Sequence, residues 1–342
     1  MAHVVLLSAT PADDQTPDHL APLHDMQKRA ACDRRGVHRL TSSPEEADVI
    51  LFVESYGAGW HFERVRRHPF TRRSREKCFL FCSNPYVIPF LPGIYTALDQ
   101  RWSSRRTISG FHLGAAENEF ATFTPPVADL PYLYSFVGSM ENATVRRHLA
   151  TLKHPRGFIQ DTSAEFTRVL QRAMNAAERR DYHRRYADVT KASKFVLCPR
   201  GLSVSSIRLF ETMKMGRVPV ILSDGWVEPP GPAWDKFALR VREADFARLP
   251  QLLEEREGEA VAMGEWARRE WLEWFAEETA FHTAVEWCLR IKAQRRVPEQ
   301  LRRWPVYLQY LRPFHFRRAL RSKWGDVQRR AERAAGGGVD GQ

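Results

Sequence analysis

Cysteine is scarce in this 342-residue chain, and the five present (Cys32, Cys78, Cys82, Cys198, Cys288) form no Cys-x-x-Cys pair. Such an odd, scattered set argues against a disulfide framework or a structural zinc cluster and fits a reducing cytoplasm. No stretch reaches the roughly 20 apolar residues of a membrane-spanning helix. The N-terminal run Met1-Ala-His-Val-Val-Leu-Leu-Ser8 lacks the basic segment and apolar length of a signal peptide and reads as a first buried strand. The twelve histidines show no His-Glu-x-x-His or comparable ligand spacing, so no metal is expected. There is no repeat at a fixed period.

What is present is an ordinary globular balance, 43% hydrophobic and 27% charged. The net charge of +11 is unevenly placed: residues 291–342 hold 13 Lys/Arg against 4 Asp/Glu, leaving the first 290 residues nearly neutral. A nucleic-acid-binding fold usually spreads its charge over a folded face, so nucleic acid is not the expected partner.

Along the chain, short β-branched or apolar runs alternate with helical patterns, the signature of parallel-sheet α/β domains. Strands are predicted at Val4–Leu7, Val49–Val53 and Cys78–Cys82, with a helix over Asp18–Leu40. After Pro125-Pro126 a second series follows: strands at Tyr132–Gly138, Gly157–Gln160, Phe195–Cys198, Val218–Leu222 and Phe237–Val241. Its helices are expected near Asn142–Lys153, Glu165–Lys191 (one or a pair), Ser205–Lys214 and Leu249–Arg256. Ala262–Ile291 reads as a helical run whose Trp266, Trp271, Trp274, Phe275, Phe281 and Trp287 form core or brace the lobes. The division is a first lobe over 1–128, a second over 129–290 and a basic aromatic helical tail over 291–342. Ligands would sit where the strands' carboxyl ends face a crevice.

The most informative segment is Ser193–Asp224, which reads strand, polar loop, helix, glycine stop, strand. Arg200, Gly201, Ser205 and Ser206 stand at the helix N-terminus, where free N–H groups and the helix dipole favour a phosphate. Arg200 adds a fork-shaped donor for a diphosphate. Arg208 and Glu211 lie at i and i+3, and a carboxylate there can accept both hydroxyls of a ribose. The alternative is a surface ion pair at 208/211 and a plain N-cap at Ser205 or Ser206.

Phe195-Val-Leu-Cys-Pro-Arg-Gly201, Arg208-Leu-Phe-Glu211, Gly216-Arg-Val-Pro-Val-Ile221 and Trp234-Asp-Lys-Phe237 resemble the exostosin-type glycosyltransferases, bacterial members being the nearest likeness. Tyr134-Ser-Phe-Val-Gly138 is similar to the strand that opens that family's donor lobe. The close likeness covers about Tyr134 to Leu289. It implies two Rossmann-like lobes facing a cleft (GT-B type), with a nucleotide-sugar donor in the second lobe and an acceptor in the first. It further implies that Arg200 neutralises the diphosphate leaving group, supported by Ser205, Ser206 and Arg208, and that Glu211 holds donor hydroxyls. Gly138 and Ser139 would line the cleft, with Arg146 a further phosphate contact. Ser223 and Asp224 are either donor contacts or a polar turn before Gly225.

Breaking an anomeric C–O bond releases a nucleoside diphosphate, whose charge preorganised cations stabilise. Many such enzymes use a divalent ion on Asp-x-Asp, which this chain lacks; Glu117-Asn-Glu119 is only an imitation. Metal-independent catalysis without a cofactor is therefore expected. An inverting enzyme also needs a base. Glu54, directly after the strand Val49–Val53, is suitably placed, although an ion pair with an arginine would explain it equally well; His61 and Asp99 are weaker alternatives. The tail 294–333 interleaves Arg302, Arg303, Arg312, Arg317, Arg318 and Lys323 with Trp304, Tyr307, Tyr310, Phe314, Phe316 and Trp324. That mixture suits an anionic membrane surface, as for a peripheral enzyme reaching a glycan or lipid-linked acceptor; nucleic-acid binding is the competing reading for the tail, and a solvated appendage packing a few aromatics on the body the plain one. A nucleotide-sugar epimerase and a non-catalytic nucleotide- or glycan-binding protein are the competing readings.

Overall fold

The computed structural model describes residues 1–10, 17–55, 62–85, 89–114 and 118–301, with isolated positions between 308 and 324. Six strands form a first, all-parallel sheet: β1 (His3–Leu7), β2 (Arg39–Leu40), β3 (Val49–Glu54), β4 (Cys78–Cys82), β5 (Gly93–Tyr95) and β6 (Thr107–Ser109). Their order is β2-β1-β3-β4-β5-β6. The second sheet is also parallel, with β7 (Tyr132–Gly138), β8 (Gly157–Asp161), β9 (Ser193–Pro199), β10 (Val218–Leu222) and β11 (Leu239–Arg240) in the order β11-β10-β9-β7-β8. The two-lobed α/β expectation is met.

Helix α1 (Pro17–Ala31), the short α2 (Glu63–Arg67) and α3 (Pro69–Arg73) belong to the first lobe. The second lobe holds α4 (Thr144–Leu149), α5 (Ser163–Leu170), α6 (Ala176–Lys191), α7 (Ile207–Lys214), α8 (Leu249–Glu255) and α9 (Ala260–Trp274); α10 (Glu277–Ala293) follows. The helix expected over Asp18–Leu40 ends at Ala31. The chain then turns through Gly36 at φ +60°, whose N–H donates to Asp33, and enters β2. The run Glu165–Lys191 is a pair: Asn175 and Glu178 form a capping box that starts α6 afresh. β5 and β6, three residues each, carried no readable period.

β3 explains the packing of the first lobe. All six of its residues are buried. Val49, Leu51 and Val53 face one apolar cluster while Ile50 and Phe52 face another, as a strand covered on both sides requires. The first of these clusters continues through Phe210 and Met213 of α7 and Phe281, Trp287 and Ile291 of α10, so one core spans both lobes.

The tryptophan-rich run 262–291 breaks at Phe275-Ala276, and its second half crosses back: α10 packs on α1, β3 and β5 of the first lobe. Arg29 donates to the Phe275 carbonyl (3.3 Å), the Arg34 amide to Glu278 O (2.9 Å) and Lys292 Nζ to Asp48 O (3.1 Å). Trp287 Nε1 reaches Pro230 O at 3.1 Å, so the same helix also holds the second lobe.

Beyond α10, Glu299 is fully buried and accepts both arms of Arg106, at 2.8 and 2.6 Å. Removing one partner of such a pair leaves a buried charge exposed to nothing that can balance it. Glu299→Ala is expected to cost about 3–5 kcal/mol, measured by urea unfolding; a loss near zero would show that the pair is not a structural tie.

Candidate functional site

The carboxyl ends of β7, β9 and β10 converge on one patch. β7 stops at Gly138, β9 at Pro199 before Arg200, and β10 at Leu222 before Ser223. Two arginines are sunk beneath this patch. Arg146 donates to Ser139 O (3.1 Å), Arg200 O (2.8 Å) and Pro199 O (3.4 Å), tying the β7 turn to the β9 turn. Arg208, in the first turn of α7, donates to Val137 O (2.5 Å) and lies 4.5 Å above the Phe136 ring. Both are 8% exposed. Among the described residues no carboxylate stands within salt-bridge distance of either, and Arg208 Nε has no hydrogen-bond partner. Burial first, then the neighbouring Arg208 charge, pushes Arg146 down to about 9.

Gly138 is a glycine because of this arrangement: a Cβ there would sit 2.3 Å from Arg208 Nη2. A Cβ at Gly201 would approach Arg146 Nη2 at 3.1 Å. Ser139 is buried and exchanges a hydrogen bond with Ser163 (3.1 Å). Arg200 is more open, its Nε on Glu243 at 2.8 Å. Glu243 also accepts from the Asp224 amide while Asp224 Oδ1 accepts from the Glu243 amide, and Ser223 Oγ donates to Val204 O. Ser206 takes the N-cap position of α7 without a side-chain capping bond.

Glu211 is largely enclosed and raised above the ordinary carboxylate range by burial, with Tyr186 OH donating to it at 2.8 Å and the Arg208 charge working the other way. It opens on a cavity of about 460 Å³ between the lobes, shared with His112, Phe210, Lys214, Arg268 and Trp271. His112 was not singled out from the sequence. Its Nε2 meets Ser205 Oγ at 3.0 Å, across 93 residues, and burial pushes the imidazole down to about 4. Tyr186 and Glu243 were missed for the same reason: their partners lie 25 and 43 residues away, and nothing in the local pattern marks them.

In the first lobe, Glu54 ends β3 and is fully buried, accepting from the Ala9 amide (2.5 Å) and Ser8 Oγ (2.9 Å). Burial pushes it up to about 7. Asp99 caps a short turn through the Arg101 amide and pairs in an antiparallel bridge with Trp226, so it joins the lobes. His61, Glu117 and residues 56–59 lie outside the described residues.

Gly216 and Arg217, part of the sequence signature, are scaffold. Gly216 adopts φ +74° to end α7, and fully buried Arg217 donates to the carbonyls of Lys191, Thr124 and Met215.

These features define a two-lobed α/β protein with a buried cationic cluster at the carboxyl ends of its second sheet. Residues 112–256 match the family model of the Exostosin GT47 domain, so the exostosin-type resemblance is borne out over that stretch. The Exostosin-1 homolog of Caenorhabditis elegans is 39% identical over 70 residues, which is 20% of this chain and 18% of that protein. A probable glucuronoxylan glucuronosyltransferase of Arabidopsis thaliana is 39% identical over 72 residues, 20% of this chain and 16% of that protein. The chain thus matches less than a fifth of the length of these curated relatives. Among solved structures, sucrose-phosphate synthase from Thermosynechococcus elongatus aligns over 83% of this chain and 96% of its own, at 11% identity and a TM-score of 0.46.

Two predictions follow from the site's geometry. Gly138→Ala should push Arg208 off Val137 O and destabilise by about 1–3 kcal/mol, and the penalty should shrink in an Arg208→Ala background; additive losses in the double-mutant cycle would rule out the contact. The second concerns Glu54 and His112, whose effects oppose each other. A buried carboxyl raised to about 7 gives stability that fades as pH rises through 7. An imidazole lowered to about 4 gives stability that fades as pH falls from 6.5 toward 4. Each is on the order of 3 kcal/mol across its window. Glu54→Gln should therefore gain thermal stability relative to the parent protein as pH is raised from about 5 to about 8; a pH-independent difference would mean that Glu54 titrates normally.

Proposed function

We propose that this protein is a glycosyltransferase that moves a sugar from a nucleotide-sugar donor to a glycan or lipid-linked acceptor. The observation that carries the reading is the pair of buried guanidinium groups, Arg146 and Arg208, without a carboxylate counter-ion among the described residues, beside the N-terminus of α7. A buried positive field of this kind suits a diphosphate that gains charge as the anomeric bond breaks. Arg200 is the direct contact: its terminal amino groups make no hydrogen bond to the described residues, leaving a fork for phosphate oxygens. Ser205, Ser206 and the free N–H groups of α7 complete the cradle. Glu211, facing the inter-lobe cavity, accepts hydroxyls of the ribose or sugar.

With these cations in place the departing diphosphate needs no metal ion. Glu54, held near neutrality, serves as acceptor-side base if configuration is inverted. No helix of the described residues is long and apolar enough to cross a membrane. A cytoplasmic location and a contact of the basic 294–333 segment with an anionic membrane surface belong to the same proposal; most of that segment lies outside the described residues.

Calorimetric titration with UDP, GDP and CDP, with Mg²⁺ or with a chelator, tests the donor assignment. One nucleotide should bind equally well in both conditions, and Arg200→Ala should weaken it by about tenfold or more, as for a lost charge-assisted hydrogen bond. A folded protein that binds none of the three would overturn the reading. Release of that diphosphate from its nucleotide sugar only when a glycan is added separates transfer from epimerisation and from simple binding.

A further inference from the structure

A second cluster lies away from the cleft. His38 is 6% exposed and immediately precedes β2, whose Arg39 pairs with His3 at the start of β1. It therefore sits at the amino end of the first sheet, opposite the strand ends at Glu54 and Cys82. His282 and Glu286 stand one turn apart on α10 and meet it there. The His38 and His282 rings stack at 4.9 Å between centroids and 26° between planes, and Glu286 Oε1 lies 3.0 Å from His38 Nε2.

We infer that His38, His282 and Glu286 form a binding site for a transition-metal dication, best matched by Zn²⁺, that braces α10 against the first sheet. One ligand atom from each residue lies within 4.8 Å of the others. Closing such a triangle around an ion with bonds of roughly 2.0–2.2 Å takes a small side-chain rotation. Buried nitrogens need partners, yet His38 Nδ1 and His282 Nδ1 have no hydrogen bond, and the His38 Nε2 contact with Glu286 lacks hydrogen-bond geometry. Two imidazoles and one carboxylate select zinc-like ions over Mg²⁺ or Ca²⁺, and three protein ligands leave a fourth position for water. The buried Asp33 Oδ1, also without a partner, is a nearby acceptor for the ring N–H left over on His38. The linear sequence conceals the set, because His38 is far from the other two in the chain.

The test uses the full chain without a polyhistidine tag, stripped with a chelator and titrated with Zn²⁺ against a chromophoric competitor. One equivalent should bind, Co²⁺ should give the visible d–d bands of a four-coordinate ion, and Zn²⁺ should raise Tm by several degrees. His282→Asn and the half-exposed Glu286→Gln should each weaken binding at least tenfold while the nucleotide titration stays unchanged. Glu286→Gln, at a surface position, keeps the test decisive if the histidine variant fails to fold. Absence of stoichiometric binding, or binding that survives both substitutions, would overturn the assignment.

Discussion

The packing of α10 across both lobes is the interaction on which the molecule's form depends. Phe281, Trp287 and Ile291 complete the core beneath β1, β3 and β4, while Trp287 also hydrogen-bonds Pro230 in the second lobe. The chain leaves the first lobe after β6 and returns to it with α10, so the first lobe is built from segments on both sides of the second lobe in the sequence. Its hydrophobic interior stays incomplete until α10 is in place. Burial on this scale outweighs the individual ion pairs at the seam, such as Lys28–Glu277, which are solvent-screened and small in effect.

Against that frame of apolar burial, the cleft is organised by main-chain polarity. Parallel strands end together, and their turns present carbonyls inward. Arg146 satisfies three of those carbonyls and so fixes the spacing of the β7 and β9 turns, while Arg208 satisfies one more at Val137. Neutral acceptors orient the guanidiniums without cancelling their charge, whereas carboxylates would have done both. The positive field thus survives burial, with Arg200 and Glu243 forming a more open pair at its rim.

Much of the fold was legible because buried parallel strands are continuous apolar runs. Val49–Val53, Cys78–Cys82 and Val218–Leu222 needed no partner to be recognised. Short strands such as β5 and β6 were not, since three residues cannot display a period and their pairing is dictated by neighbours. The helix predicted through Leu40 ended early because the turn through Gly36 and the pairing of Arg39 with His3 override local preference. In the site, Arg200, Ser205, Arg208 and Glu211 were visible because they share one loop and one helix turn. His112, Tyr186 and Glu243 were invisible because their significance is tertiary. Arg217 lay inside a recognised motif yet supports the linker and the end of α6, a reminder that a signature mixes scaffold with chemistry.

Arg146 and Arg208, without a counter-ion among the described residues, also carry a cost in stability. Buried like charges favour the unfolded chain, and any anion that binds between them returns that free energy in proportion to the logarithm of its concentration. With such an anion bound, the population open to proteases falls as its concentration rises.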